Sequence, residues 1–303
     1  MAINRGAIAR ELFPGLNALA GFEYDQYLDQ HKFAFELYDT EKAYEVDVIK
    51  AGLGAGAIKS EGQSVQYDNA AREAWTARYD VVTVALAFAI TEEAIEDNLY
   101  VREASDLARE LGRAMAHTKQ ILTHSVFNNA FTAQSYSPDG VALIATNHPL
   151  ASGATFANRP TTGTDLSETS LENALISIAQ YTDDRGKLIA AKPVSLHVPV
   201  QLTYVAERIT QSQLRPSTSD NDINAMHSLG SLPKGYFVHN YFTAARSWFV
   251  RTNYPHGTKF FTRLGLTQAT EPEFDTGNIR HKARERYAYG YTNLRQWFGN
   301  PGT

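Results

Sequence analysis

There is no cysteine in the 303 residues, which excludes disulfides, thiolate metal sites and cysteine nucleophiles and fits assembly in a reducing cytoplasm. No apolar run approaches the roughly 18 residues that a membrane-crossing helix needs, and Met1–Arg10 lacks the apolar core of a signal peptide. No membrane role is expected. An excess of basic residues is also missing. The net charge is -5, so the chain does not read as a protein that coats nucleic acid.

Catalytic patterns are absent as well. There is no G-x-S-x-G, no Walker loop, no kinase signature and no H-x-x-x-H or HExxH spacing. The adjacent carboxylates Glu92-Glu93 and Asp183-Asp184 point to different sides of a helix or turn and read as solvated caps. His148, before Pro149, lies in a loop; a structural or surface role is favoured over a catalytic one. Gly52-Leu53-Gly54-Ala55-Gly56 has the wrong spacing for a dinucleotide fingerprint. No enzyme activity, cofactor or metal is expected. What is present is an ordinary globular composition, 43% hydrophobic and 20% charged, long enough for a sizeable core.

The chain is organised around one long helix, expected from Thr91 to about Phe131 with Thr91 as N-cap and Glu92 and Glu93 in the first turn. Proline is absent from this stretch and Gly112 is its only glycine. Ala94, Ile95, Val101, Ala104, Leu107, Ala108, Leu111, Ala114, Met115, Thr118, Ile121, Leu122 and Val126 follow the three-and-four spacing of a one-sided amphipathic helix. Arg102, Asp106, Arg109, Glu110 and Arg113 occupy the other face. Such a helix spans roughly 60 Å and reads as a spine packed along one side by a sheet. Gly112 and the drifting stripe speak against a heptad coiled coil.

Before the spine, residues 1–43 read as an arm, with a short helix over Ile3–Phe13 ended by Pro14-Gly15. Its aromatics, Phe22, Tyr24, Tyr27, Phe33, Phe35 and Tyr38, lack a period. Two readings stay open: anchors laid on another chain, or a lead-in folded onto its own core. A long hairpin follows. Tyr44, Val46 and Val48 alternate with Glu45 and Asp47 on the outgoing strand. Val82, Val84, Leu86, Phe88 and Ile90 alternate with small residues on the expected return strand. The glycine-rich connection from Ala51 to Glu73 has the length of a functional or partner-bound loop.

Beyond the spine, Ser137–Gly140 is a turn, Val141–Ala145 a short strand, and 146–164 loop. Ser167 caps a helix through Leu171, Ala174, Leu175 and Ile178, with Leu166 and Leu171 as a hydrophobic staple. Val194–Val198 is a buried-type strand, Val200–Ile209 helical, and Tyr236–Tyr241 and Ser247–Arg251 strands, which together make an α/β unit. Lys259–Leu264 is a strand. Arg280, Lys282, Arg284 and Arg286 alternate with His281, Ala283, Glu285 and Tyr287 as another, with a basic face for acidic patches on neighbours or water. This closing segment is expected to pack on the spine.

The order of arm, glycine-tipped hairpin, spine helix, inserted α/β unit and closing β segment resembles the major capsid protein of tailed bacteriophages, an α+β chain of the Hong Kong 97-type fold. Several stretches look like the Mu-like major head subunit family: Leu12-Phe13-Pro14-Gly15-Leu16-Asn17; Lys59-Ser60-Glu61-Gly62 with Tyr67-Asp68; Asp139–Leu143 with Thr146–Leu150 and Gly153; and Ser247-Trp248-Phe249. The resemblance implies an N-terminal arm over 1–43, an extended loop over 44–90, a peripheral domain over 91–159 closed by 255–303, and an axial domain over 160–254.

It also implies pentamers and hexamers of this chain, assembled in the bacterial cytoplasm and closing into the icosahedral head of a virion around double-stranded DNA. A portal and a decoration protein are implied partners. Phe33, Phe35, Tyr38, Lys59, Glu61, Tyr67, Arg280 and Arg284 are the expected inter-subunit contacts. Some relatives carry an N-terminal scaffolding segment. No charged helical region of that kind precedes the arm here, so a separate scaffolding protein is expected. Some relatives crosslink through lysine and asparagine; Lys50 and Lys59 lie in or beside the loop, but no acidic catalytic neighbour is identifiable for either. The rival readings are an encapsulin-like nanocompartment shell, which would begin with a short cargo-docking helix, and a soluble α/β enzyme with a concave site.

Overall fold

A computed structural model describes residues 17–65, 67–68, 72–91, 93–94, 100–150, 152–214 and 222–303. The expected helix Ile3–Phe13, the Leu12–Leu16 motif, Glu92 and Ile95 lie outside them. The spine is α3, Tyr100–Asn128, roughly 43 Å long at 1.5 Å per residue. Ahead of it, the Thr91 hydroxyl accepts from the Ala94 N–H at 3.4 Å, the capping contact expected there. Ala104, Ala108, Leu111, Met115 and Val126 are buried as the periodicity requires, whereas Leu107 and Ile121 are exposed. In the last turns the buried face turns polar, through Gln120, Thr123 and His124.

That face lies on a four-stranded sheet ordered β1-β10-β11-β4, with β1 Glu36–Asp39, β4 Val82–Ile90, β10 Thr258–Pro272 and β11 Ile279–Tyr291. β1 runs parallel to β10 and the other pairs are antiparallel. On β11 the alternation is as the sequence requires: His281, Ala283, Glu285 and Tyr287 are buried, and Arg280, Lys282 and Arg284 exposed.

Pairing of β4 with β11 corrects the expected hairpin. The return strand for β2 (Tyr44–Ala51) is β3, Arg72–Asp80, and the two form a separate two-stranded sheet. Period-two alternation identifies a strand but not its partner. Val84, Phe88 and Ile90 pack into the cores along the spine, a cover that a strand projecting from the body would not have.

The second sheet is ordered β12-β9-β7-β8, from β7 Pro193–Pro199, β8 Tyr236–His239, β9 Trp248–Thr252 and β12 Trp297–Asn300. Its last strand comes from the C-terminal segment, so that segment contributes to both sheets. One face, through Leu196, Val198, Trp248, Val250 and Phe298, packs with α4 (Glu168–Ala179) and α5 (Thr203–Gln211). The other, through Phe249 and Trp297, shares a core with Val126 and Phe127 of the spine. Burial on both faces explains the nearly unbroken apolar runs of β7 and β9. At α4, Ser167 forms the expected cap, reciprocated by Ser170 as a capping box. The short elements β5 (His148–Pro149), β6 (Thr155–Phe156), α2 (His31–Ala34) and α6 (Ala225–Ser228) complete the chain.

Val141–Ala145 is not a strand. Residues 142–145 are buried, and their backbone is satisfied elsewhere: Ile144 N–H donates to the Ala130 carbonyl at 2.8 Å and Ala145 N–H to Asn158 Oδ1 at 2.8 Å.

The described part of the arm folds onto its own chain. Residues 17–26 form α1, whose Ala20 crosses the spine so closely that a Cβ on Gly112 would lie 2.2 Å from the Ala20 carbonyl oxygen. Tyr24 donates to the buried carboxylate of Glu285, which Lys119 Nζ also reaches at 2.9 Å. Burial first, and then the Glu285 charge, push the Tyr24 phenol well above its ordinary range. Gly112→Ala is expected to destabilise the chain by about 1–3 kcal/mol through overpacking, although alanine favours a helix interior by about 1 kcal/mol. Urea denaturation checks this; an unchanged or raised midpoint contradicts the close crossing.

Candidate assembly surface

Strand β2 of the β2–β3 hairpin has its amphipathicity turned outward. Along β2, Tyr44, Val46 and Val48 are exposed while Glu45 and Asp47 between them are partly covered. On β3 the order is the usual one, with polar side chains outward. Arg78 opposite Val46 and Thr76 opposite Val48 are exposed, whereas Ala77 opposite Asp47 and Tyr79 opposite Glu45 are buried. A free surface strand shows its polar face to water; β2 shows its apolar face. In the connection beyond, Leu53, Ile58, Val65 and Tyr67 are also exposed, Ile58 fully. A further exposed aromatic, Phe274, stands in the turn between β10 and β11. No periodicity announces it in the sequence.

The base of the hairpin is held firmly. Asp47 Oδ2 pairs with Lys259 Nζ on β10 and accepts from Thr292 Oγ1 at 2.9 Å. Tyr79 shares a hydrogen bond with the Thr292 hydroxyl and packs at a tilt against Phe261, with ring centroids 5.0 Å apart. Gly290 leaves room for that ring, since a Cβ there would lie 3.0 Å from it. Nearer the tip, Asp68 accepts from the Gly54 N–H at 2.6 Å and pairs with Arg185 at 3.3 Å. The hairpin is thus anchored at its base, its connection is tied to Arg185, and the exposed apolar side chains lie along β2 and the connection.

The residues expected to contact neighbours separate into two groups. Lys59, Glu61, Tyr67, Arg280 and Arg284 are all exposed, with Arg280 paired to Glu273 in the β10–β11 turn. Arg280 and Arg284 stand on the open face of β11 beside Ala89 and Ala85 of β4. In the arm, Phe35 is buried in its own core, edge-on to Phe127. Phe33 stacks on Phe237 at 4.6 Å and Tyr38 on Phe261 at 5.5 Å, all within one chain; Tyr38 keeps an exposed edge.

Polar groups that could suggest chemistry serve structure. His148 is buried between Asp139 Oδ2 at 2.7 Å and Asn158 Oδ1 at 3.2 Å, locking two loops together. Asp183 caps the turn that follows α4. Burial works to raise its pKa, but the Lys187 and Arg185 N–H groups hold it below the usual carboxylate range. Asp184 is not a solvated turn residue: it is buried in an ion pair with Arg295 at 3.1 Å. A cavity of about 280 Å³ beside α4 is lined by Ser167, Ser170, Asn173 and Asn300 and has no titratable side chain in its wall. Among the described residues no cluster of histidine and carboxylate could hold a metal, and no helix is long and apolar enough to cross a membrane.

A body with two packed sheets, a long spine helix and an outward-facing apolar hairpin defines a structural subunit. A family model described as phage capsid protein matches residues 73–299, and the chain belongs to that family. It is accordingly a non-enzymatic virion shell protein. No significant match is found among curated protein sequences. The fold is that of solved shells. A virus-like particle from Pyrococcus furiosus aligns with TM-score 0.58 and 10% identity over 95% of this chain and 98% of that one. The capsid of an empty GTA particle gives 0.55 and 11% over 89% of each. The capsid of Myoviridae phage XM1 gives 0.52 and 6% over 92% and 93%.

Because Lys259 is buried, removing its partner leaves a charge without compensation. Asp47→Ala is expected to destabilise the chain by about 2–3 kcal/mol, below the range for a fully buried pair because Asp47 is partly solvated. It should also speed proteolysis within the hairpin. A urea midpoint like the parent's, with unchanged cleavage, would show that the anchor lies elsewhere.

Proposed function

We propose that this chain is the major head subunit of a tailed phage, of the Mu-like kind. It assembles in the host cytoplasm into pentamers and hexamers that close as an icosahedral shell around double-stranded DNA. The observation that carries this reading is the hairpin: Tyr44, Val46, Val48, Leu53, Ile58, Val65 and Tyr67 are exposed on an element whose two strands join neither four-stranded sheet. A neighbouring copy is the natural cover, since every copy brings both the hairpin and a surface to receive it. Lys59, Glu61 and Tyr67 act there as tip contacts, with Arg280 and Arg284 on the receiving face. Tyr38 contributes its exposed edge, while Phe33 and Phe35 hold the arm that presents it. Initiation at a portal, a separate scaffolding protein and a decoration protein complete the reading.

Replacing residues 53–67 with a short Gly-Ser turn tests it. The truncated chain is expected to stay folded, with an unchanged far-ultraviolet spectrum, and to lose shells, tubes and rings in electron micrographs that show them for the parent. Normal shells from the truncated chain would sink the hairpin's role. A parent that stays monomeric with and without a scaffolding protein would sink the assembly reading. Nuclease-protected DNA inside particles isolated from an infected host supports a phage head; enclosed protein without DNA indicates a nanocompartment.

A further inference from the structure

His124, His197 and His239, each at most 1% exposed, form one chain of hydrogen bonds across the joint between the spine and the second sheet. On α3, His124 Nδ1 lies 2.7 Å from the Gln120 carbonyl oxygen. His124 Nε2 is 2.9 Å from His239 Nδ1 on β8, and His239 Nε2 is 2.8 Å from His197 Nδ1 on β7. The chain ends 2.9 Å further on, from His197 Nε2 to Ser195 Oγ.

Its direction is fixed by chemistry. A carbonyl oxygen can only accept, so His124 carries its proton on Nδ1 and its Nε2 must accept from His239 Nδ1–H. By the same step His239 Nε2 accepts from His197 Nδ1–H, and the Ser195 hydroxyl donates to His197 Nε2. Three neutral imidazoles with one shared tautomer therefore satisfy every ring nitrogen. A first added proton fits only if the Ser195 hydroxyl turns to accept. A second sets two N–H groups against each other and breaks an imidazole–imidazole bond.

Among the described residues no carboxylate is paired with any of the three imidazoles. Rings of Tyr241, Phe242, Phe237 and Trp297 pack on the three imidazoles. From the arm, His31 meets the Gln120 amide at 3.0 Å, with Asp29 3.7 Å from His31 and Lys32 and Lys119 adding positive charge. From β9 and the segment before β8, Arg251 and Lys234 bring further positive charge toward His197. Glu36 lies 3.9 Å from Arg251. Burial holds His124 and His31 at about 4 and His197 and His239 well below the ordinary histidine range.

We propose that this imidazole chain is an acid-sensitive clasp: with its imidazoles neutral it fastens the spine helix to β7 and β8, and uptake of a second proton opens that joint ahead of the surrounding sheets. This rests on the fold alone and not on the shell function. The native state disfavours protonation, so the clasp's contribution is complete above about pH 6.5 and is lost as pH falls toward about 4.

Imidazole hydrogen exchange and backbone amide exchange, read by mass spectrometry on the full chain between pH 3.5 and 8, test the clasp. His197 and His239 are expected to titrate well below the ordinary histidine range in the folded chain. Amide exchange over 117–128 and 236–242 is expected to rise about tenfold before that over 279–291 does. His239→Gln keeps a donor and an acceptor but cannot charge, and should lower the acid midpoint by at least about half a pH unit. Titration of His197 and His239 near 6.5 in the folded parent overturns the proposal, as does an acid midpoint unmoved by His239→Gln. Should that variant fail to fold, the titration of the parent decides alone.

Discussion

Burial of one face of β11 against the spine helix is the constraint on which the rest of the molecule depends. Ala283 shares a core with Leu111 and Met115 of the spine, and Tyr287 and Tyr291 share another with Val126 and Phe127. Because β11 is flanked by β10 and β4, fixing it fixes the strand that immediately precedes the spine and the strand that receives the arm. The same face places Glu285 where Tyr24 and Lys119 converge, so it also locates α1 and the close crossing at Gly112. Residues more than 150 positions apart are thereby tied into one body, which can hold a projecting element at a defined angle.

The body holds the β2–β3 hairpin on its inner side only. An isolated two-stranded hairpin is marginal in water, and here its apolar side faces outward while Asp47 and Tyr79 on the inner side tie its base to β10 and the Thr292 region. The anchor sets direction, and under the proposed function the exposed row is the adhesive surface. Sequence alternation alone could not distinguish this arrangement from a hairpin with its apolar side inward, because both have period two.

What was legible in the sequence follows from which interactions are local. The spine, the Ser167 cap, the basic alternation of β11 and the buried strands β7 and β9 are all set by residues within a few positions of one another, and their pattern survives in the fold. Partner choice is not local. The true return strand, Arg72–Asp80, carries a weaker apolar alternation than Val82–Ile90, and only the competition for the spine decides which of them joins the body. Phe35 looked like an anchor for another chain because its neighbours lack a period, yet Phe127 meets it within the same core. Buried polar residues were the least legible. Asp184 depends on Arg295, over a hundred positions away, and His124 on His239 and His197; each such residue reads as surface until its partner is known.

The energetics of the outward hairpin favour assembly by many weak contacts. Burying a Val, Leu or Ile side chain yields about 1.5–3 kcal/mol, so the exposed row from Tyr44 to Tyr67 amounts to roughly 10 kcal/mol before losses. Association costs about 4–15 kcal/mol in lost freedom and ordering. One hairpin against one neighbour is therefore close to balance and detaches readily. Under the proposed function, a subunit in a closed ring or shell uses its own hairpin and receives another, so the second contact forms at high effective concentration and the cost of association is met once. Weak single contacts with strong closure let misplaced subunits leave while completed rings persist. A stickier hairpin would sacrifice that correction, which gives a physical reason for spreading the apolar side chains along two thin strands and a glycine-rich connection.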